Sequence, residues 1–140
     1  MKFFSLLLLG AMFIVSTPLT YSQDNDISQK KERKKNLTVK EWNTSGTKRF
    51  LDHVTVYNDQ GKKVEEIEYA AYGMRERVIS EYNAQAQCVK QIVFNDRNKV
   101  NRIRKIEYNP DGSRKSQFNY LPNGKLESVK IYEYQSDNAK

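Results

Sequence analysis

Apolar and polar positions alternate along this chain in short runs, and the runs end on aromatic residues. These fall at Tyr57, Tyr69, Tyr82, Phe94, Tyr108, Tyr120 and Tyr134, with gaps of 12, 13, 12, 14, 12 and 14 residues. Self-similarity at a short fixed period marks a chain built from one repeated supersecondary unit. The segments between turns are 8 to 10 residues long and rich in Val, Ile, Tyr and Phe. That length and composition favour strands over helices. The position two before the aromatic is apolar in five of seven cases, at Ile67, Ile92, Ile106, Phe118 and Tyr132. The residue just before it is often acidic, at Glu68, Glu81, Glu107 and Glu133. With a side-chain period of two, this predicts that the aromatics share the more apolar face and the glutamates face water.

Four residues after the first six aromatics stand Gly61, Gly73, Ala86, Asn98, Gly112 and Gly124. Glycine reaches positive φ without a steric penalty, and asparagine tolerates it. Asn109-Pro110-Asp111-Gly112 and Leu121-Pro122-Asn123-Gly124 carry Pro second and Gly fourth, the chemistry of a type I turn closed by a glycine bulge. Asn58-Asp59-Gln60-Gly61 and Asn95-Asp96-Arg97-Asn98 fit the same mould; Ala86 and Ala70-Ala71-Tyr72-Gly73 fit it less well. The fold expected is all-β, an antiparallel meander of about seven strands near 50–57, 62–69, 74–82, 87–94, 99–108, 113–120 and 125–134. Val64, Val89, Ile103 and Val129 lie five residues before an aromatic, an odd parity that demands bulges or a sheet with apolar contacts on both faces.

The N-terminus changes where such a sheet is expected to work. Lys2 precedes an apolar run from Phe3 to Val15, too short to span a bilayer and suited to a secretory signal peptide. Residues 1–22 are therefore read as a signal, 23–49 as a polar, basic, mostly flexible segment, 50–134 as the hairpin-repeat domain and 135–140 as a flexible tail. Export to the periplasm, the outer surface or the medium follows, with no transmembrane segment left after processing. The net charge of +7 is only moderately basic, and with export it makes nucleic acid an unlikely ligand. Much of the positive charge lies in Gln29 to Lys40, a run too polar to order itself by burial.

The motif Tyr108-Asn-Pro-Asp-Gly-Ser, followed by Tyr120-Leu-Pro-Asn-Gly-Lys-Leu and Tyr132-x-Tyr134, resembles the tyrosine-aspartate (YD) repeats of bacterial Rhs-type cell-surface proteins. MORN-like repeats look similar, and so do small exported Bacteroides-type proteins built of little but such hairpins. The resemblance spans residues 50 to 134 and implies architecture and export, with no catalytic residue. The chain departs from the pattern in placing Asn after the aromatic at Asn58, Asn83, Asn95 and Asn109. Its array is also too short for the enclosing shell of the long Rhs proteins.

Little in the chain points to catalysis. One His and one Cys, His53 and Cys88, make neither a metal site nor a nucleophile and base motif, and a lone Cys allows no intrachain disulfide. Glu65-Glu66 is an adjacent carboxylate pair, but neighbours on a strand point to opposite faces and cannot flank one bond. No catalytic residue, metal or cofactor is assigned. If the turns alone set the register, Lys90 opposes Arg104, Ile92 opposes Arg102, Arg102 opposes Tyr120 and Arg104 opposes Phe118. Lys90, Arg102, Arg104, Phe118 and Tyr120 would then share one face as a binding site for an anionic or neutral polysaccharide, unless the cations merely reach solvent over the rings. The reading is a non-enzymatic binding domain for an envelope or extracellular polysaccharide or protein partner. A structural or self-associating envelope protein is the alternative, and a small cell-wall hydrolase the weaker one.

Overall fold

The computed structural model describes residues 33–137. Eight strands follow in chain order: β1 (Thr38–Ser45), β2 (Lys48–Tyr57), β3 (Lys63–Ala70), β4 (Gly73–Tyr82), β5 (Cys88–Phe94), β6 (Val100–Tyr108), β7 (Arg114–Tyr120) and β8 (Leu126–Ile131). They form one sheet in sequence order, every neighbouring pair antiparallel, with β1 and β8 as open edges. The meander is as expected, with one strand more. β1 lies inside the segment 23–49 read from the sequence as mostly flexible, and that boundary is corrected: its pairing with β2 runs from Thr38↔Val56 to Ser45↔Lys48. The cause is that an edge strand tolerates outward Lys and Glu, here Lys40 and Glu41, so charge does not preclude pairing. The signal-peptide reading of residues 1–22 lies outside the described residues.

Five hairpins share one turn. In each, the amide of the residue after the aromatic donates to the carbonyl four residues on, as from Asn58 to Lys62 at 2.9 Å, and the amide three on donates back, as from Gly61 to Asn58 at 3.0 Å. The turns at Asn83, Asn95, Asn109 and Leu121 repeat both bonds. Gly61, Ala86, Asn98, Gly112 and Gly124 all take positive φ there, so Ala86 occupies a glycine position despite its side chain. The β3–β4 connection differs, with Ala70 paired directly to Gly73 across two residues. The asparagine after the aromatic has a local cause. The side-chain oxygens of Asn58, Asn83 and Asn95 each accept the amides two and four residues on, at 2.9 to 3.1 Å. In the proline turns Asp111 and Asn123 take over this role toward Ser113 and Lys125.

A second irregularity decides which side chains meet. Beside each of these aromatics the register slips by one: Val56 pairs with Glu65 but Tyr57 with Lys63, and Glu81 pairs with Lys90 but Tyr82 with Cys88. Val64 and Val89 are the extra residues. Corresponding slips stand beside Tyr69, Phe94, Tyr108 and Tyr120. Each slip flips the following strand by one side chain, so consecutive aromatics alternate faces. Tyr57, Tyr82 and Tyr108 lie on one face at one end of the strands, and Tyr69, Phe94 and Tyr120 on the other face at the other end. The expectation of a single aromatic face is corrected accordingly. The true repeat is two hairpins, about 25 residues, and the odd-parity valines are its consequence.

The first face carries a band of polar side chains with Val93 and Ile106 set among them. The second, the more apolar one, carries Val56, Ile79, Ile92, Ile103, Phe118 and Leu126 together with the charged Glu65, Arg77, Glu81, Lys90 and Lys105. Residues opposite one another share a face, which assigns both sets from the pairing. Among the described residues the buried apolar side chains are Val54, Val93 and Ile106. The sheet is one layer, and most of its apolar face is only half-buried.

Candidate functional site

The five binding residues expected from the sequence do not come together. The slip beside Phe94 makes Lys90 oppose Lys105 and Ile92 oppose Ile103, and the slip beside Tyr108 makes Ile103 oppose Tyr120 and Lys105 oppose Phe118. Lys90, Phe118 and Tyr120 therefore lie on the apolar face, and Arg102 and Arg104 on the polar one. Lys90 Nζ is 3.1 Å from Glu81 Oε1. Arg102 Nε lies 3.2 Å from Glu127 Oε2, an ion pair too poorly aligned for a hydrogen bond. The expected pair of opposed cations and the cation over an aromatic ring both exist, but Lys105 supplies them, with its Nζ 5.4 Å from the centre of the Tyr120 ring. The turns alone did not carry this information, since the slip comes one residue after each turn closes.

Arg104 belongs instead to a groove on the polar face, about 190 Å³ and lined by His53, Glu66, Glu68, Glu76, Val78, Gln91 and Arg104. Its upper wall is a hydrogen-bonded row: Arg104 Nη1 donates to Gln91 Oε1 and Gln91 Nε2 to Ser80 Oγ, both at 3.3 Å. Farther across the sheet Asn119 Nδ2 donates to Ser128 Oγ at 3.0 Å. Glu68 and Glu76 are direct cross-strand partners, a carboxylate pair the sequence reading missed because the slip beside Tyr69 brings them level. Arg75 bonds to Glu68 and Lys63 Nζ to Glu66 Oε1 at 2.8 Å, and such opposite charges offset the repulsion of like-charged neighbours. That Glu66 bond raises the Lys63 pKa, burial opposing it. Among the described residues no group of three or more His, Cys, Asp or Glu could hold a metal ion.

At the tyrosine end of the sheet the repeat generates two equivalent clefts. One, about 600 Å³, is lined among others by Asn58, Val64, Ser80, Glu81 and Tyr82. The other, about 440 Å³, is lined by Asn83, Val89, Ile106, Glu107 and Tyr108, with Gln87 and Lys115. Position by position these are the same parts of successive two-hairpin units: the asparagine that organises a turn, the bulged valine, and the last three residues of the returning strand. The tyrosines are fixed by their hydroxyls. Tyr82 Oη donates to the Lys63 carbonyl at 2.8 Å, Tyr108 Oη to that of Cys88 at 2.7 Å, and Tyr134 Oη to that of Arg114 at 2.8 Å. Each acceptor is the residue just before a bulge, where the ladder is interrupted. This accounts for Tyr at positions 82, 108 and 134, whereas Phe94 serves at the other end. Burial, and then the nearby Cys88, Glu66 and Tyr108, raise the Tyr82 pKa. Burial likewise raises that of Cys88, against the lowering effect of Ser80 and Arg114.

No protein-family model matches the chain, and no curated protein matches it. Among the solved structures that resemble it weakly are two glycosyl-ligand complexes. One is a mutant of S. aureus TarM in complex with Fondaparinux, alpha-GlcNAc-glycerol and UDP, with 17% identity, a TM-score of 0.28, and coverage of 79% of this chain and 22% of that one. The other is a GtfA/B complex bound to UDP and GlcNAc, with 13% identity, a TM-score of 0.28, and coverage of 67% and 24%. The chain thus matches about a quarter or less of either protein, and the likeness carries no argument about function.

Proposed function

We propose that this chain is an exported, non-enzymatic repeat sheet that works by binding a polysaccharide, with its sites at the tyrosine end of the strands. The observation that carries the reading is the pair of equivalent clefts. A site repeated at a fixed interval suits a ligand repeated at a fixed interval. Each cleft combines apolar surface from Val and Tyr with the side-chain amide of a turn asparagine, the mixture that a sugar ring with apolar faces and a hydroxyl rim requires. Export, the YD-like hairpins and the modest net charge agree with an envelope or extracellular glycan. The site moves from the cation cluster of Lys90, Arg102 and Arg104 to the clefts, and the preferred ligand from anionic to neutral, because Lys90 and Arg102 stand beside carboxylates. A glycan array with the secreted protein tests the reading. Retention on at least one neutral polysaccharide is expected, weakened by Tyr108→Ala and little changed by salt. An array with no bound glycan would overturn it.

A second reading, a self-associating envelope protein, is favoured by one observation. Leu126, Val129 and Ile131 on the edge strand β8 are 47%, 42% and 66% exposed, and pairing places all three on the apolar face.

A further inference from the structure

The clefts recur every two strands, at a separation of roughly 9.6 Å from the spacing of adjacent strands. That is close to the length of one disaccharide in an extended β-linked glycan, and in such a chain every second sugar presents the same face. We infer that the ligand is a neutral β-linked glycan running across the strand ends, that each cleft takes one disaccharide, and that the array ends after two clefts.

The end of the array is written in the third repeat unit. There the position of the bulged Val64 and Val89 is taken by Lys115, the extra residue of the slip beside Tyr108. Arg114 holds the place of Lys63 and Cys88, and its pKa is raised by the neighbouring Tyr132 side chain, while Tyr134 keeps the hydroxyl contact of its two predecessors. The scaffold continues, but a long cation replaces the small apolar residue. At the other end of the row the ammonium of Lys34 lies 5.2 Å from the centre of the Tyr57 ring, so the first tyrosine already has a cation over it. Two clefts, lined by Tyr82 and Tyr108, lie between these ends. Glu81 and Glu107 pair with Lys90 and Ser116 and so point to the apolar face, which keeps both carboxylates out of the clefts. The charged side chains left in the lining are Asp59 in one cleft and Lys115 in the other. They are opposite in sign, so the two clefts share no charge that a repeating ionic ligand could match.

The inference rests on the polysaccharide reading, and the experiment separates the two. Cello-oligosaccharides and chito-oligosaccharides of two, four and six sugars are titrated into the mature protein by calorimetry, beside the polysaccharide that the array retains. Linking two sites through one ligand raises affinity well beyond that of either site. A gain of about tenfold or more is therefore expected from disaccharide to tetrasaccharide, with less than about twofold from tetrasaccharide to hexasaccharide. Val89→Lys should return the tetrasaccharide to disaccharide affinity without unfolding the protein, since Lys115 already stands at the equivalent bulge. Val64→Lys should do the same, and the double variant should bind neither. If the polysaccharide binds but affinity does not step at four sugars, or if Val89→Lys leaves the step in place, the two-cleft register is wrong although the polysaccharide reading stands. If neither series nor any glycan on the array binds, both are overturned.

Discussion

Gly112 and Ala86 occupy the same place in successive copies of one turn, at φ of 87° and 60°. A Cβ at Gly112 would meet nothing nearer than Gln87 Nε2 at 3.9 Å, so the cost of Gly112→Val is backbone strain alone, about 1–3 kcal/mol. Ala86→Gly removes a left-handed penalty of about 1 kcal/mol and adds a comparable unfolded-state entropy, so its stability should stay within about 0.5 kcal/mol of the parent. Urea midpoints measure both, and an unchanged midpoint for Gly112→Val would remove the turn assignment. The tyrosine hydroxyls give a second contrast. Tyr108→Phe loses the bond to the Cys88 carbonyl and should cost about 1 kcal/mol, whereas Tyr120→Phe keeps its ring under Lys105 and should cost less. Cys88 supplies a pH test. Its pKa is raised by burial, so the folded protein holds less thiolate than the unfolded chain at a given pH. Alkylation should be slower in the native protein at neutral pH, and the gap should close only as pH rises through the elevated value. Equal rates at pH 7 in the folded and urea-unfolded protein would contradict the burial of the thiol.

β1 tests the organisation of the strands. Its eight residues include Lys40 and Glu41, yet it pairs along its whole length with β2. Amides of β1 that bond to β2 should exchange with deuterium about a hundredfold more slowly than in a free chain; free-chain rates across 38–45 would restore the flexible boundary. The other strands were legible because the aromatic and the glycine-like residue four positions on mark both ends of each hairpin. What the chain did not disclose is the slip beside each aromatic. A bulge needs no special residue here: Val64, Arg75, Val89, Asn101, Lys115 and Glu127 all serve as the extra residue, to judge from the pairing. Composition at those positions is therefore silent, and only the odd parity of Val64 and Val89 hinted at it. One unmarked residue per hairpin was enough to move Arg102 and Arg104 to the opposite face from Lys90 and to split the expected site. The clefts were hidden for the same reason, since bulged valines line both of them.

A domain ordinarily buries the apolar face of a sheet under a second layer, and the described residues supply none. Its full extent is about 38 Å across eight strands and about 24 Å along seven residues, from the standard spacings. Two such faces in contact would hide roughly 1,800 Å², within the range of stable specific interfaces. The two readings of function are therefore compatible at this scale. A pair of copies packed through the apolar face, where Leu126, Val129 and Ile131 are exposed on β8, would still leave both tyrosine ends open at the rim. Sedimentation equilibrium should show a dimer whose population rises with concentration. Ile131→Lys places a charge on the most exposed of the three and should shift the protein toward monomer, because an unpaired charge at an apolar contact is costly to desolvate. The tetrasaccharide affinity should stay the same in that variant, since Ile131 lines neither cleft. A parent protein that is monomeric at every accessible concentration would sink the packed pair. A dimer that Ile131→Lys leaves intact would place the contact elsewhere, at the open edge of β1 or on the polar face.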